Sequence, residues 1–140
     1  GMVVAFNPSP VNELLQTYPL ESVGWFLMNE IEGEAITGET DPARILAAMA
    51  QKYPKASVVL TLGAEGAYCR HAGQTYFQPS FKVKAVDTTA AGDTFTGYLV
   101  TGLSRGEALP KVLERAARAS SITVGRKGAA DSIPNWQELE

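Results

Sequence analysis

The sequence predicts an α/β fold, a mainly parallel sheet layered by helices on both faces, and three observations carry that prediction. Two apolar runs, Val23-Gly24-Trp25-Phe26-Leu27-Met28 and Ser57-Val58-Val59-Leu60-Thr61-Leu62, lack the polar alternation of a half-exposed strand. Such runs suit strands covered on both sides. Segments with helical spacing and helix-boundary residues lie between and after them, so strands and helices alternate along the chain. Finally, Ala72-Gly73-Gln74 separates two short strand-like segments, residues 67–71 and 75–78, which read as a β-hairpin appended to the parallel strands on the way into the C-terminal half.

Taken in order, Val3-Val4-Ala5-Phe6 is a short apolar strand stopped by the turn Asn7-Pro8-Ser9-Pro10. Residues 11–18 form a weak helix candidate. After the first buried strand, Asn29-Glu30-Ile31-Glu32-Gly33-Glu34 opens a helix with acidic groups where the helix dipole favours them. Asp41-Pro42 caps a helix from Ala43 to about Tyr53, ended by Pro54. The second buried strand runs into the glycine-bounded turn Gly63-Ala64-Glu65-Gly66. Two helices follow the hairpin, from Gly92 to about Ser104 and from Leu109 to Val124. The second carries the small residues Ala116, Ala117, Ala119 and Ser120, suited to close packing. Residues 126–130 form a loop and residues 134–140 a short tail.

With 140 residues, one domain spanning residues 2–140 is expected. Gly1 ahead of Met2 reads as a remnant of tag removal and is left out of the fold. A 45% hydrophobic and 19% charged composition argues against disorder. The net charge of −3 gives no electrostatic reason to expect nucleic acid or an anionic membrane as partner. No apolar run approaches the roughly 20 residues needed to span a bilayer. The single cysteine, Cys69, excludes an internal disulfide framework and suits a reducing cytoplasmic compartment.

The chemistry concentrates in Asp87-Thr88-Thr89-Ala90-Ala91-Gly92-Asp93-Thr94-Phe95. An extended segment ends at Val86-Asp87, two threonines and two alanines make a turn, and Gly92 starts a helix. Backbone N–H groups from Ala90, Ala91, Gly92 and Asp93 then point out of the helix N-terminus, where the dipole favours an anion. Gly92 lacks a Cβ, so a phosphate can approach the backbone closely. Asp93 sits beside that anion, placed to accept a proton from an attacking hydroxyl. In a loose phosphoryl-transfer transition state, positioning and anion stabilisation supply most of the rate. On pattern alone the same residues serve equally well as an ordinary helix start.

That stretch resembles the C-terminal signature of the ribokinase-like (PfkB) carbohydrate kinases, and other matches fall in the same order. Phe6-Asn7-Pro8-Ser9-Pro10 is similar to the family's Asn-Pro-Ala-Pro segment, and Asn29-Glu30-Ile31-Glu32 to its Asn-x-x-Glu motif. Thr61-Leu62-Gly63-Ala64-Glu65-Gly66 is similar to its nucleotide turn, and Arg126-Lys127-Gly128-Ala129 with Ser132 and Pro134 to the end of ribokinases proper.

The resemblance implies the three-layer α/β/α ribokinase-like (Rossmann-like) fold and transfer of the γ-phosphate of MgATP to a sugar hydroxyl. It implies Asp93 as catalytic base and Ala90, Ala91 and Gly92 as the anion hole. Asn29 and Glu32 would organise Mg²⁺ and the phosphates through water, as a hard cation requires. Without a family, the same pair reads as an Asn cap with acidic first-turn residues. Asn29, Thr61, Gly63 and Gly66 would line the nucleotide. Oxygens near Asp87, Thr89, Thr123, Arg126, Gly128 and Ser132 resemble a monovalent-cation (K⁺) site. Ala117 departs from the Asn or His that many relatives place near the adenine.

The resemblance covers only the C-terminal portion of a family member. The sugar-binding elements and β lid belong to a preceding region, so the expected alternative is a non-catalytic nucleotide-binding remnant or a half-enzyme needing a partner chain. An uncovered sheet edge also predicts self-association. A P-loop is excluded by the missing Gly-x-x-x-x-Gly-Lys-Ser/Thr, and Gly63-x-x-Gly66 alone is no dinucleotide fingerprint. Cys69 and His71 share a strand face as an ordinary hairpin pair rather than a zinc site. His71 has no convincing Ser or Cys partner for triad chemistry. Arg115 and Arg118 with Arg126 and Lys127 suggest a basic stripe, but Glu107 and Glu114 intersperse them, and they read as a solvated helix face.

Overall fold

The computed structural model describes all 140 residues, in two compact units. The first comprises residues 1–63 and 67–77; the second comprises residues 64–66 and 78–140.

The first unit is built on a five-stranded mixed sheet in the order β1-β2-β3-β4-β5. Strands β1 (Ala5–Phe6), β2 (Trp25–Asn29) and β3 (Ser57–Thr61) run parallel, and β4 (Gly66–His71) lies antiparallel to β3. Helices α1 (Glu30–Thr37) and α2 (Pro42–Lys52) connect β2 to β3. Register pairs Phe26 with Val58 and Met28 with Leu60. These four side chains are buried with Ile36, Ile45 and Met49 in one core. Because strand side chains alternate, Leu27 and Val59 point to the opposite face, yet they are also buried, as are Ala67 and Cys69 on β4. The absence of polar alternation in β2 and β3 therefore has the expected cause. Each fully buried aliphatic side chain of this size contributes about 1.5–3 kcal/mol.

Two elements come out shorter than the sequence suggests. Only Ala5 and Phe6 of the first apolar run pair as a strand, because the Val4 carbonyl turns to accept both the Gly24 and Trp25 N–H groups (2.9 and 3.0 Å). The weak helix at residues 11–18 is a single 3₁₀ turn, Glu13–Thr17, capped by Asn12. Pro19, which disfavours helical backbone at the residue before it, follows at once.

The hairpin partner β5 (Gln74–Pro79) joins β4 through two residues, Ala72 and Gly73, rather than three. Both have positive φ (50° and 77°), as a type I′ turn demands. Ala72 holds a left-handed conformation that costs an L-residue about 1–2 kcal/mol and that Asn tolerates better. Ala72→Asn is expected to raise stability by about 0.5–1 kcal/mol in urea denaturation; no gain would show that the turn carries no such strain.

The second unit pairs α3 (Ala91–Ser104) with α4 (Leu109–Val124). Phe95 and Leu99 of α3 and Val112, Leu113, Ala116 and Ala119 of α4 are all buried. Gly102 of α3 sits directly against Val112 of α4, where a Cβ would meet the valine methyls at 2.7 and 2.8 Å. No helix of the chain is long and apolar enough to cross a membrane.

Candidate active site at the start of helix α3

The segment ahead of α3 is anchored at both ends. Val86 and Asp87 N–H groups both donate to the Val124 carbonyl (2.8 and 3.1 Å). The Asp87 carboxylate then organises the turn: Oδ1 accepts from the Thr89 hydroxyl (2.5 Å) and the Thr89 N–H (2.9 Å), and Oδ2 accepts from the Gly128 N–H (3.3 Å). The Ala91 N–H donates to the Thr88 carbonyl (3.2 Å), closing the turn. Helix α3 starts with Ala90 as its cap residue and no side chain satisfying its first donors. The N–H groups of Gly92 and Asp93 have no partner within the protein.

That arrangement has a chemical consequence. Two free donors at the positive end of a 14-residue helix suit an anionic oxygen. A Cβ on Gly92 would meet nothing within 4 Å, so space for the anion adjoins the backbone itself. The exposed Asp93 carboxylate lies in the same turn. It lines a groove of about 320 Å³ with Thr94, Gly97, Tyr98, Thr101, Ile133 and Trp136. Of the three residues named for the anion hole, Ala91 has its N–H taken by the Thr88 carbonyl.

Behind the turn lies a set of hydroxyls. The buried Thr94 hydroxyl donates to the Ala90 carbonyl (2.8 Å) and sits 3.1 Å from Thr123 Oγ1. Thr123 is in turn 3.5 Å from the Ser132 carbonyl. Ser120 of α4 donates to the Ala91 carbonyl (3.0 Å). Of the residues named for a monovalent cation, the structure thus joins Asp87, Thr89 and Gly128 directly, and Thr123 with Ser132. Arg126 gives its N–H to the Thr123 carbonyl (3.0 Å), while its guanidinium pairs with Glu138 (2.5 Å).

Electrostatics follow the hydrogen bonds. The Thr89 hydroxyl, then the Thr89 and Gly128 N–H groups, hold the Asp87 carboxyl below its ordinary value. Glu138 is likewise lowered by the Arg126 guanidinium and the Asn135 N–H. For Asp87 the folded-state value lies below the unfolded one, so its stabilisation is complete above the ordinary carboxyl range near pH 4 and is lost as pH falls through the folded value. Asp87→Asn is therefore expected to lower the melting temperature above about pH 5, with the gap from wild type shrinking at lower pH. A gap independent of pH would contradict this assignment.

In the first unit, Asn29 and Glu32 form a reciprocal capping box at the start of α1. Asn29 Oδ1 accepts the Glu32 N–H and Glu32 Oε2 accepts the Asn29 N–H, both at 2.9 Å. Glu32 is only 6% exposed. Its other oxygen takes no protein hydrogen bond, and no buried side-chain oxygen of the chain is left unsatisfied, so that oxygen reaches solvent. Thr61 donates to the Met28 carbonyl (3.4 Å) across β2 and β3, and Gly63 begins the turn after β3 with φ +55°. In the second unit, Gly66 has φ +133°, and a Cβ there would lie 2.2 Å from the Gln78 carbonyl oxygen.

Three expectations need correction. His71 does have a serine partner: Ser57 Oγ lies 2.7 Å from its Nδ1, and its ring stacks on Trp25 (5.1 Å between centroids). Strand register brings the two together across β3 and β4, which sequence spacing does not reveal. The Ser57 N–H is engaged by the Gly24 carbonyl, and no acid orients the ring, so the pair is a structural tie. Burial pushes the Cys69 thiol up to about 12, which keeps it inert. Arg115 is half-buried rather than solvated: it bonds Glu107 (2.6 Å) and lies over the Trp136 ring, with Arg105 over the same ring, while Arg118, over Phe81, and Glu114 stay exposed. The supposed tail is thus a folded 3₁₀ turn, Trp136–Leu139, held by these cations and by stacking on Tyr98. Ser120 and Trp136 escaped notice as site neighbours because only tertiary packing brings them to α3.

Residues 2–136 match the pfkB family of carbohydrate kinases. A ribokinase from Schizosaccharomyces pombe is 39% identical over 148 aligned positions, covering all of this chain and 46% of the relative. A fructokinase from Escherichia coli is 34% identical, covering all of this chain and 50% of the relative. The solved structure of Arabidopsis thaliana ribokinase complexed with ribose and ATP superposes with a TM-score of 0.84 at 28% identity, over 99% of this chain and 46% of that one. The chain spans about half the length of the curated relatives it matches.

Proposed function

The chain belongs to the pfkB family of carbohydrate kinases, and from that premise we propose that it carries the ATP-binding, catalytic-base portion of a sugar kinase. The reaction is transfer of the γ-phosphate of ATP to a sugar hydroxyl. The observation that carries the reading is the uncapped start of α3, where the free Gly92 and Asp93 N–H groups adjoin the exposed Asp93 carboxylate. The donors hold the transferred phosphoryl oxygens, and Asp93 accepts the proton of the attacking hydroxyl. Thr61, Gly63 and Gly66 line the nucleotide, with Asn29 at its phosphates; Ala117 offers that nucleotide no polar contact.

The oxygen of Glu32 that takes no protein hydrogen bond, beside Asn29, suits Mg²⁺ held through water. When bound, Mg²⁺ neutralises phosphate charge. The oxygens of Asp87, Thr89, Thr123, Arg126, Gly128 and Ser132 suit a monovalent cation such as K⁺. Its charge would support the same turn, since Asp87 stays ionised there.

The unpaired edge of the sheet favours one further reading, a nucleotide-binding half that needs a second chain for the sugar. Strand β1 ends the sheet with one edge unpaired, and Met2 and Val3 nearby are exposed. Such an edge suits self-association or a companion chain. A coupled assay of ADP release, run with pentoses and hexoses beside calorimetry with MgATP, separates the readings. Sugar-dependent ADP release supports the complete kinase, and binding without release supports the half. Absence of MgATP binding overturns both.

A further inference from the structure

We propose that Ser120 is a positioning residue for the anion hole, acting through the peptide unit between Ala91 and Gly92; this rests on the kinase reading above. A peptide unit is planar, so the Ala91 carbonyl and the Gly92 N–H are opposite ends of one rigid plate. Ser120 donates to that carbonyl (3.0 Å) from the neighbouring helix α4. Fixing one end of the plate fixes the direction of the other, and the other is the free donor offered to the phosphoryl group.

The preceding plate is fixed in the same manner. The Thr94 hydroxyl grips the Ala90 carbonyl (2.8 Å), and the N–H at its far end is held by Thr88 (3.2 Å). Two consecutive peptide planes of the turn are thereby held by side-chain hydroxyls, one from α3 and one from α4. The turn needs this support, because its cap residue Ala90 has no side chain able to stabilise the helix start. An extra hydrogen bond to a carbonyl also polarises the amide, making its N–H a stronger donor. Ser120 acts at the carbonyl end of the plate; it aims and strengthens the Gly92 N–H at the other end.

The test compares wild type with Ser120→Ala in the purified chain by three readouts. The Gly92 amide proton resonance of the free protein is expected to move upfield, since its plate loses a polarising bond. Affinity for MgATP in calorimetry is expected to fall roughly two- to tenfold, the range of one lost hydrogen bond. The melting temperature is expected to change little. An unmoved Gly92 resonance, or unchanged MgATP affinity in a chain that binds MgATP, overturns the proposal. So does a fall in affinity that only tracks a large fall in melting temperature. If wild type binds no MgATP, the kinase reading fails, and the Gly92 resonance alone still decides whether Ser120 sets that plate. Should Ser120→Ala not fold, Ser120→Thr and Ser120→Val, equal in shape, repeat the comparison, with Thr expected to retain affinity and Val to lose it.

Discussion

Asp93→Asn is expected to lower phosphoryl transfer by roughly 10²–10⁴-fold in any preparation that phosphorylates a sugar, the range for loss of a general base. Asparagine keeps the size and polarity of aspartate but cannot accept the hydroxyl proton. The residue is exposed and makes no hydrogen bond or ion pair within the protein, so the substitution removes no structural tie. Its backbone N–H remains, and so does that of Gly92. Affinity for MgATP should therefore hold within a few fold, and the loss should fall on turnover rather than binding. Steady-state kinetics beside calorimetry check this. Unchanged turnover would show that another group takes the proton; lost affinity with intact turnover would make Asp93 a binding residue instead.

Gly66→Ala should be the most destabilising single-methyl change in the turn. Two costs combine there. The backbone sits at φ +133°, a region nearly confined to glycine, worth about 1–3 kcal/mol for another residue. The new Cβ would also lie 2.2 Å from the Gln78 carbonyl oxygen and 2.8 Å from Pro79 Cα, both backbone atoms that cannot rotate away. Overpacking of that kind adds about 1–3 kcal/mol. A total near 3 kcal/mol or more is expected in chemical denaturation. Gly63→Ala is the control: its φ of +55° is left-handed, but a Cβ meets nothing within 4 Å, so only about 1 kcal/mol is expected. Equal losses at the two positions would mean that close packing of the turn is not what requires Gly66.

Much of the fold was legible because the signals were local. The caps Asn29 and Asp41 start α1 and α2, and Gly92 and Val124 lie within a residue of the matching bounds of α3 and α4. The unalternating runs of β2 and β3 announced burial on both faces, which the structure bears out. What sequence could not show was long-range pairing. The contact of Ser57 with His71 depends on strand register, and the fixing of the α3 turn by Ser120 depends on helix packing. Trp136 reads as part of a short tail because its partners, Tyr98, Arg105 and Arg115, lie 21–38 positions earlier. For Asn29 and Glu32, the residues alone read as an Asn cap with acidic first-turn groups, and the family resemblance implied a magnesium-organising pair. The structure shows the capping box, and the outward oxygen of Glu32 leaves the second role open to test.

That the start of α3 receives the phosphates of ATP can be tested by amide spectra of the ¹⁵N-labelled chain titrated with MgATP. Gly92 and Asp93 are expected to move most, with Gly63 and Gly66 following at the same half-saturation. Saturable shifts confined to residues elsewhere, or none at all, would contradict it.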